Sequence, residues 1–524
     1  MHEGIDSIRA LIDARAATGG ARTALIEPDG ETLDYRTLRL RVRAVAASLA
    51  AQGLSRGDSV GYAMVNGVDA ALAILGIQYA GLRAVAVNLV AGRDVIGYVL
   101  AHSGARRVIV QASTREPMLE ALACDAYTSA ARREAPLLIE LSPRDPGASP
   151  DEPHDLSPIG TDDDALVMYT SGTTGRPKGV RLSHGNLLAG GHNTATGHGL
   201  RVTDRALCTL PLYHINGLCV TLYGALVSAG SIVLPARFSA SRFWSWMRGQ
   251  GCTWFSVVPT QVGYLLHAEQ PVDPPVGVRF GRSASAPLSP DVHRAFEQRF
   301  GVPLIETMGL TETAAQITTN PMPPRSGRIG SAGRAHGCQL RIATASPGGQ
   351  GGDQGGDQGG DQGGGEGEIQ IRGSNVMQGY LDNAEATRQA FSDDGWLRTG
   401  DLGRVDADGF VFVTGRLKEL IIKGGENIAP REIDEALHAH PDVLEAAAFG
   451  VPCADYGERV EAAVVAVPGR TLDTAELLSL CEQRLGRFKR PDRLHLVDEL
   501  PKGPSGKIQR RRCAERFASV PGTV

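Results

Sequence analysis

The sequence is poor in the features that mark several classes of protein. Its eight cysteines are scattered through 524 residues and form no CxxC pair, which excludes a zinc-ribbon or disulfide framework and indicates a reducing, cytoplasmic compartment. The 53 basic and 58 acidic residues leave a net charge of −5, so no basic surface favours nucleic acid as a partner. The first residues, MHEGIDSIRALIDARAA, carry acidic side chains and are not typical of a signal peptide.

Long hydrophobic runs are also scarce. One stretch, 208–236, is long enough to cross a bilayer and holds no acidic or basic residue. It contains Pro211, His214, Asn216 and several glycines, which divide it into a loop, a buried helix and a strand over 231–234. We therefore expect this stretch to be buried in the protein, and no membrane span.

The length and the hydrophobic pattern predict at least two domains. A chain of 524 residues is longer than a single hydrophobic core normally accommodates. Helical patterns such as 38–49 alternate with short apolar strands such as 58–64, which predicts an α/β fold with a mostly parallel sheet. This pattern continues through a large N-terminal domain, 1–415. A smaller set of strands and helices, 417–524, predicts a separate C-terminal domain of α+β type.

Two segments have a composition that does not form a core. Residues 348–365 are low in complexity and repeat GGDQ three times. Because strand-like runs at 339–342 and 368–371 flank this repeat, we expect a β-hairpin with a long tip and no function there. Residues 141–160 are rich in proline, serine and aspartate and predict a linker.

The stretch 169–180 reads YTSGTTGRPKGV and is the most informative in the chain. Its glycines let backbone amides converge on an anion, its hydroxyls add short donors, and Lys178 adds a point charge suited to phosphate. The spacing is not that of a Walker loop. The composition predicts a phosphate-binding loop, and the alternative is a surface turn rich in small residues.

Six further short motifs follow that loop. They are PLYHINGL at 211–218, GRSASAPL at 281–288, ETMGLTE at 306–312, WLRTGDL at 396–402, GRLKELIIKGGEN at 415–427 and PKGPSGKI at 501–508. In this order they resemble the adenylate-forming superfamily, which includes acyl- and aryl-CoA ligases, luciferases and the adenylation domains of peptide synthetases. The resemblance implies an N-terminal domain of stacked α/β layers, a small mobile C-terminal domain, and ATP, Mg²⁺ and CoA as cofactor and co-substrates.

The resemblance also implies which residues bind the nucleotide. Met308 takes the place of the family's usual aromatic residue and would cover the adenine without ring stacking. Asp401 would accept both ribose hydroxyls, and Arg416 would contact ribose and phosphate. The full expected set is Thr170, Ser171, Gly172, Thr173, Thr174, Gly175, Lys178, Ser285, Ala286, Glu306, Thr307, Met308, Gly309, Asp401 and Arg416.

Four residues are implied in catalysis. Lys507 would bind the acid carboxylate and the α-phosphate together and neutralise the charge that develops between them. Thr311 would contact the α-phosphate, and Glu312 would hold Mg²⁺ as a hard oxygen ligand. His214 would line the acid pocket, and its alternative is a histidine satisfied within the core.

For the thioester step, the resemblance implies a surface of the small domain other than the one that carries Lys507. Gly424, Gly425 and Glu426 would shape the tunnel for the pantetheine of CoA, because glycine leaves room for the thiol chain. Lys418 resembles the family's hinge residue, about which the small domain would rotate. That rotation would withdraw Lys507 and present the glycine loop.

The acid is the least constrained part of the prediction. The runs FGRSASAPL and AQITTNPMPP resemble the oxalyl-CoA synthetase-like branch, and the candidate acid-binding residues are His214, Asn216, Arg282 and Ser283. The guanidinium of Arg282 would bind a second carboxylate or a sulfonate in a fork, which favours oxalate, malonate or sulfoacetate; an Arg282 that faces solvent is the alternative.

Other functions are also compatible with the motifs. A medium-chain or aromatic acid would need a longer apolar tunnel near Leu218. An adenylation enzyme would pass the acyl group to a carrier protein, and a nucleotide-binding protein without catalysis is a third class. A homodimer is a further expectation.

Overall fold

The computed structural model of the protein describes most of the chain. The described residues are 4–130, 135–140, 156–170, 176–268, 276–325, 327–344, 365–503 and 507–518. Outside them lie the GGDQ repeat, most of the predicted linker at 141–160, and five residues of the predicted phosphate-binding loop, namely Ser171, Gly172, Thr173, Thr174 and Gly175.

The described residues form the following strands and helices. The strands are β1 Thr23–Ile26, β2 Thr32–Asp34, β3 Ser59–Ala63, β4 Arg83–Ala86, β5 Arg107–Val110, β6 Leu137–Glu140, β7 Asp164–Thr170, β8 Lys178–Ser183, β9 Arg205–Cys208, β10 Ser231–Val233, β11 Trp254–Val257, β12 Phe280–Ser283, β13 Leu304–Leu310, β14 Ala315–Thr319, β15 Arg334–Ala335, β16 Gln339–Ala343, β17 Gly367–Arg372, β18 Gly379–Tyr380, β19 Leu397–Val405, β20 Val411–Arg416, β21 Ile421–Lys423, β22 Glu426–Ile428, β23 Val443–Cys453, β24 Gly457–Ala466 and β25 Arg493–Leu496. The helices are α1 Ile8–Gly19, α2 Tyr35–Ala51, α3 Val68–Tyr79, α4 Arg93–Ser103, α5 Ala112–Leu122, α6 Asp125–Ala130, α7 His184–Gly197, α8 Gly224–Ser228, α9 Ala240–Gly249, α10 Pro259–Leu266, α11 Pro290–Phe300, α12 Ala384–Ala390, α13 Pro430–His438, α14 Thr474–Leu485 and α15 Arg510–Phe517, with a π-helix over Asn216–Tyr223 and a 3₁₀ helix over Thr311–Thr313.

Two large sheets form the layers of the N-terminal domain. One has the strand order β15-β14-β13-β12-β11-β9-β10-β1-β2 and the other β18-β8-β7-β4-β3-β5-β6. The central strands of both are parallel, which confirms the predicted α/β fold. Helix α3 has the sequence VDAALAILGIQY, in which apolar residues dominate every side, as is typical of a buried helix. It belongs to the core that the two sheets share.

Two smaller sheets complete the fold. The third is antiparallel, β16-β17-β19-β20, and its β16–β17 pair confirms the predicted hairpin. The fourth is formed by β21 to β25 and carries its own apolar core in the smaller C-terminal domain. The exposed Lys418 lies between β20 and β21. The division into 1–415 and 417–524 and the hinge at Lys418 remain predictions.

The stretch 208–236 is buried, as expected. It holds the π-helix, α8 and the strand β10, which confirms the predicted order of helix and strand. No helix in the described ranges has the length and apolarity that a bilayer span requires.

Candidate active site

A cavity of about 220 Å³ lies between the large and the small domain. It begins where the parallel strands β11 and β12 end, the edge at which ligands bind in such sheets, and continues along β13. Nine of the predicted site residues line it: Ser285, Ala286, Glu306, Thr307, Met308, Gly309, Asp401, Arg416 and Lys507. The fold therefore brings motifs that are more than 200 residues apart to one place.

Ser285 stands at the wall of this cavity in an unusual backbone conformation. Its φ of 74° lies in the left-handed region, which a serine adopts at a cost. Its Oγ accepts a hydrogen bond from Nδ2 of Asn216 at 3.1 Å. Ser285 thus connects the cavity to the side chains behind it.

Two buried polar side chains of β13 line the cavity with atoms that have no hydrogen-bond partner among the described residues. These atoms are Oε2 of Glu306 and Oγ1 of Thr307. The other oxygen of Glu306 accepts from the amide of Leu288 at 3.3 Å. Burial raises the pKa of Glu306 to about 7. Buried polar atoms are almost always bonded, so this wall is suited to a polar ligand.

Asp401 and Arg416 form an ion pair at the opposite wall. They face each other across β19 and β20, and Nε of Arg416 donates to Oδ1 of Asp401 at 2.5 Å. The carboxylate is buried, with 8% of its side chain exposed. The pair places a carboxylate and a guanidinium together, as the diol and phosphate of a nucleotide would require.

Lys507 lies in the same cavity and belongs to the small domain. Burial and the nearby guanidinium of Arg416 lower the pKa of Lys507 to about 8. Its side chain is therefore a cation that a bound anion would stabilise. This arrangement is the one that adenylate formation would need.

Lys178 and Glu312 meet at Tyr380, which was not among the residues selected from the sequence. Nζ of Lys178 lies 4.9 Å from the centroid of the Tyr380 ring, and the Tyr380 hydroxyl donates to Oε1 of Glu312 at 3.0 Å. Lys178 also faces Thr170 in the β7–β8 ladder, so the two residues that flank the predicted phosphate-binding loop are paired with each other. The half-buried Thr311 precedes Glu312 in the 3₁₀ helix.

A carboxylate at this position fits a magnesium ion. Mg²⁺ in nucleotide sites is commonly held by one or two carboxylates and the substrate phosphates. Glu312 offers such an oxygen ligand, and the Tyr380 hydroxyl orients it. Among the described residues no cluster of three or more His, Cys, Asp or Glu side chains could hold a metal by itself.

Arg282 is buried behind Ser285, with 1% of its surface exposed, so the solvent-facing alternative is wrong. Its Nη1 donates to Oδ1 of Asn216 at 2.9 Å and to Oγ of Ser256 at 3.1 Å. Its Nε donates to Oε1 of Gln316 at 3.2 Å. Asn216 is placed by the first turn of the π-helix, whose wide turns often mark functional sites.

The partners of Arg282 are all neutral. No carboxylate among the described residues pairs with this guanidinium, and burial lowers its pKa to about 9, with Cys219 opposing the shift. Buried charges in proteins are normally paired, because an isolated charge is costly to desolvate. The geometry leaves Arg282 suited to an anion.

Gln316 and His198 support Arg282 and were also missed. The amide oxygen of Gln316 accepts from Arg282 and from Nε2 of His198, which lies 2.9 Å away. Burial lowers the pKa of His198 to about 3, so its imidazole is neutral. Gln316 lies in the run AQITTNPMPP, which pointed to a branch of the family but not to a contact.

His214 and Ser283 each have a buried polar atom with no hydrogen-bond partner in the described part of the chain. These are Nε2 of His214 and Oγ of Ser283. Burial lowers the pKa of His214 to about 4, so the imidazole is neutral near pH 7. His214, Asn216, Arg282 and Ser283 do not line the cavity itself. Of the four, Asn216 and Arg282 are connected to the cavity wall through the hydrogen bond from Asn216 to Ser285.

The predicted CoA loop lies apart from the cavity. Gly424 and Gly425 form the two-residue turn between β21 and β22, with φ of 60° and 84°. Two positive φ values are typical of the hairpin turn that favours glycine at both positions. Gly424, Gly425 and Glu426 are exposed and do not line the cavity. The structure thus brings Lys507 to the site and not this loop.

Known proteins resemble the whole chain. Residues 12–381 match the model of AMP-binding enzymes, and residues 432–507 match that of the AMP-binding enzyme C-terminal domain. The chain is 47% identical over 521 residues to a sulfoacetate–CoA ligase of Cupriavidus necator, covering 97% of both chains. It is 34% identical over 524 residues to an oxalate–CoA ligase of Arabidopsis thaliana, covering 98% of this chain and 99% of that protein.

The fold agrees with these sequence relationships. The crystal structure of ATP-bound MatB from Rhodopseudomonas palustris superposes with a TM-score of 0.85 at 30% identity, covering 98% of this chain and 99% of that one. The family expected from the motifs is thereby confirmed. The chain belongs to the AMP-binding enzyme family and is an AMP-forming acid–CoA ligase, which uses ATP, Mg²⁺ and CoA.

Proposed function

We propose that this ligase activates a small acid that carries a second anionic group, with sulfoacetate as the first candidate and oxalate and malonate as the next. The observation that carries the proposal is the buried Arg282, whose partners are all neutral. A second carboxylate or a sulfonate would provide the missing counter-charge and accept two parallel hydrogen bonds. The similarity to the sulfoacetate–CoA ligase supports the same class of acid.

The proposed reaction has two steps. In the first, a carboxylate oxygen of the acid attacks the α-phosphorus of ATP and diphosphate leaves, which gives an acyl-adenylate. In the second, the thiol of CoA attacks the acyl carbon, the bond to the phosphate breaks, and AMP leaves. The thiol proton is released to solvent.

The main barrier to the first step is the repulsion between the anions. Lys178, Thr311 and Lys507 would bind phosphate oxygens, and Lys507 would also hold the attacking carboxylate. Asp401 would fix the ribose, and Glu312 would hold a bound Mg²⁺, which supplies further neutralisation of phosphate charge. Each such preorganised contact is worth about 10²–10³ in rate.

The second step would require the small domain to rotate. Lys507 and the Gly424–Gly425 turn lie on the same domain but only Lys507 is at the cavity. We propose that rotation near Lys418 exchanges them, so that the turn shapes the entry for pantetheine. This proposal predicts that Lys507→Ala loses adenylation but retains thioester formation from a supplied acyl-adenylate.

The experiment that tests the substrate is CoA-dependent AMP formation with a panel of acids. Sulfoacetate, oxalate and malonate carry two anionic groups, whereas acetate, benzoate and octanoate carry one. Turnover restricted to the first three supports Arg282 as the contact for the second anion. Turnover restricted to octanoate or benzoate would contradict the proposal and favour the medium-chain or aromatic alternative.

We also propose a cytoplasmic location and a homodimeric assembly for this ligase. All eight cysteines are free thiols, which supports a reducing cytoplasm. A homodimer is proposed from the family resemblance alone, and sedimentation equilibrium of the purified chain would test it.

A further inference from the structure

We propose that Tyr264, Lys502 and Glu445 form a contact between the domains that positions Lys507 for adenylate formation and opens before the thioester step. The inference rests on the proposed rotation of the small domain. Tyr264 belongs to α10 of the large domain, whereas Glu445 in β23 and Lys502 belong to the small domain.

The three side chains form a closed triangle of polar contacts. Nζ of Lys502 lies 2.9 Å from the Tyr264 hydroxyl and 2.7 Å from Oε1 of Glu445. The Tyr264 hydroxyl donates to the same Oε1 at 3.3 Å. One hydroxyl thus accepts from the ammonium and donates to the carboxylate, which uses both of its capacities. Nζ of Lys502 also lies 5.4 Å from the centroid of the Tyr264 ring.

Glu445 is the buried member of the triangle, whereas Tyr264 is 37% exposed. The side chain of Glu445 is 5% exposed and that of Lys502 is 23% exposed. A hydrogen bond to a charged group is stronger in such a place than at an open surface. The contact therefore favours the orientation of the small domain in which it forms.

Lys502 is linked directly to Lys507. The backbones of Lys502 and Ile508 form an antiparallel bridge, and the amide of Gly503 donates to the carbonyl of Lys507 at 2.7 Å. The amide of Gln509 donates to the carbonyl of Pro501 at 2.8 Å. Backbone hydrogen bonds thus join the two ends of the segment that carries Lys507. A contact that keeps Lys502 against the large domain therefore also keeps Lys507 at the cavity.

A second contact holds the same segment but does not cross the domains. Arg510 pairs with Asp434 at 2.5 Å and with Glu419 at 3.2 Å. All three residues lie on the side of β21 to β25, so this contact would travel with the small domain. The contact with Tyr264, in contrast, forms only in one orientation of the two domains.

The test measures the two half-reactions separately in the Tyr264→Phe variant. This substitution keeps the ring and removes the hydroxyl. Adenylation is measured as acid-dependent exchange of pyrophosphate into ATP, with the acid that the wild type turns over best. Thioester formation is measured in a single turnover from supplied acyl-adenylate and CoA. We expect exchange to fall about tenfold or more and the thioester rate to stay unchanged or rise, since the hydroxyl's hydrogen bonds to Lys502 and Glu445 are both lost.

The control is Arg484→Gln, which removes another ion pair across the domains, the exposed contact to Asp291 at 3.9 Å. It should leave the ratio of the two rates unchanged. Equal losses of both rates in Tyr264→Phe, or no loss in either, would overturn the inference. A wild-type protein without exchange on any small, doubly anionic acid would instead count against the proposed substrate, and the variant would still be judged with the accepted acid.

Discussion

Nη1 of Arg282 lies 2.9 Å from Oδ1 of Asn216 in the interior of the large domain. The pair joins a buried guanidinium to a neutral amide, and the other end of that amide donates to Ser285 at the cavity wall. In a ligase for an acid with one carboxylate, the same cation would have no ligand group to bind. Because Asn216 contacts both Arg282 and Ser285, a substitution of Asn216 is the most direct test of substrate selectivity.

Asn216→Asp should weaken the preference for doubly anionic acids. The new carboxylate keeps the shape of the amide, accepts from Arg282 and Ser256, and can accept from the Ser285 hydroxyl, so it supplies the counter-charge that the acid would otherwise provide. We expect kcat/KM for the preferred doubly anionic acid to fall about 10- to 100-fold, since about 1.5–3 kcal/mol is typical of a hydrogen bond to a charged group.

Turnover of acetate and the thermal midpoint provide the controls for this substitution. Acetate should gain relative to the doubly anionic acid, and the midpoint should not fall, because the introduced charge is paired inside the protein. An unchanged ratio of the two kcat/KM values would remove Arg282 from substrate recognition.

Gln316→Leu should destabilise the protein. The amide oxygen of Gln316 accepts from two buried donors, Nε of Arg282 and Nε2 of His198. Leucine leaves both without that acceptor, and about 1–3 kcal/mol is expected for each buried donor left unsatisfied. Urea denaturation would measure the free energy of unfolding. The exposed Gln389 offers a matched control, since Gln389→Leu should change this free energy by no more than about 0.5 kcal/mol.

Much of the fold could be predicted because it depends on local patterns. The mostly apolar sequence of α3, the alternation of helices and short strands, and the two strand-like runs on either side of the GGDQ repeat each indicate their own structure. Motif order then indicated the family, and with it nine of the residues that line the cavity.

The contacts that the sequence did not reveal join residues far apart in the chain. Gln316 is 34 residues from Arg282, Tyr380 is 68 residues from Glu312, and Glu445 is 181 residues from Tyr264. A single sequence carries no signal that pairs such positions. The sequence also does not reveal that Arg282 is buried, since an arginine in the strand FGRS could lie on its buried or on its exposed face.

Tyr380→Phe should raise the magnesium requirement of the first step. The substitution removes the hydroxyl that donates to Glu312 and keeps the ring beside Lys178. Residues that orient a metal ligand typically contribute about 10- to 100-fold in metal affinity. We expect the Mg²⁺ concentration for half-maximal pyrophosphate exchange to rise about tenfold at saturating ATP. If the substitution acts through the Lys178 contact instead, the KM for ATP should change and the Mg²⁺ dependence should not.

The charge of Lys507 should set the alkaline limit of adenylation. Its pKa in the free protein is about 8, since burial and Arg416 lower it while Glu419 and Asp401 oppose the shift. In the proposed role the protonated form would bind the carboxylate and the phosphate, and its loss would begin about two pH units earlier than for an ordinary lysine, whose pKa is about 10.4. We expect kcat/KM for pyrophosphate exchange to fall above about pH 8, by about tenfold at pH 9.

Two comparisons decide whether Lys507 is the titrating group. Bound ATP adds negative charge at the cavity and raises the pKa of a nearby ammonium, so kcat should decline at a higher pH than kcat/KM. Lys507→Arg retains a cation that stays protonated throughout this range, so its profile should remain level to about pH 10 even where its rate is lower. A decline near pH 8 that persists in Lys507→Arg would assign the alkaline limit to another group, because the arginine cannot lose its proton there.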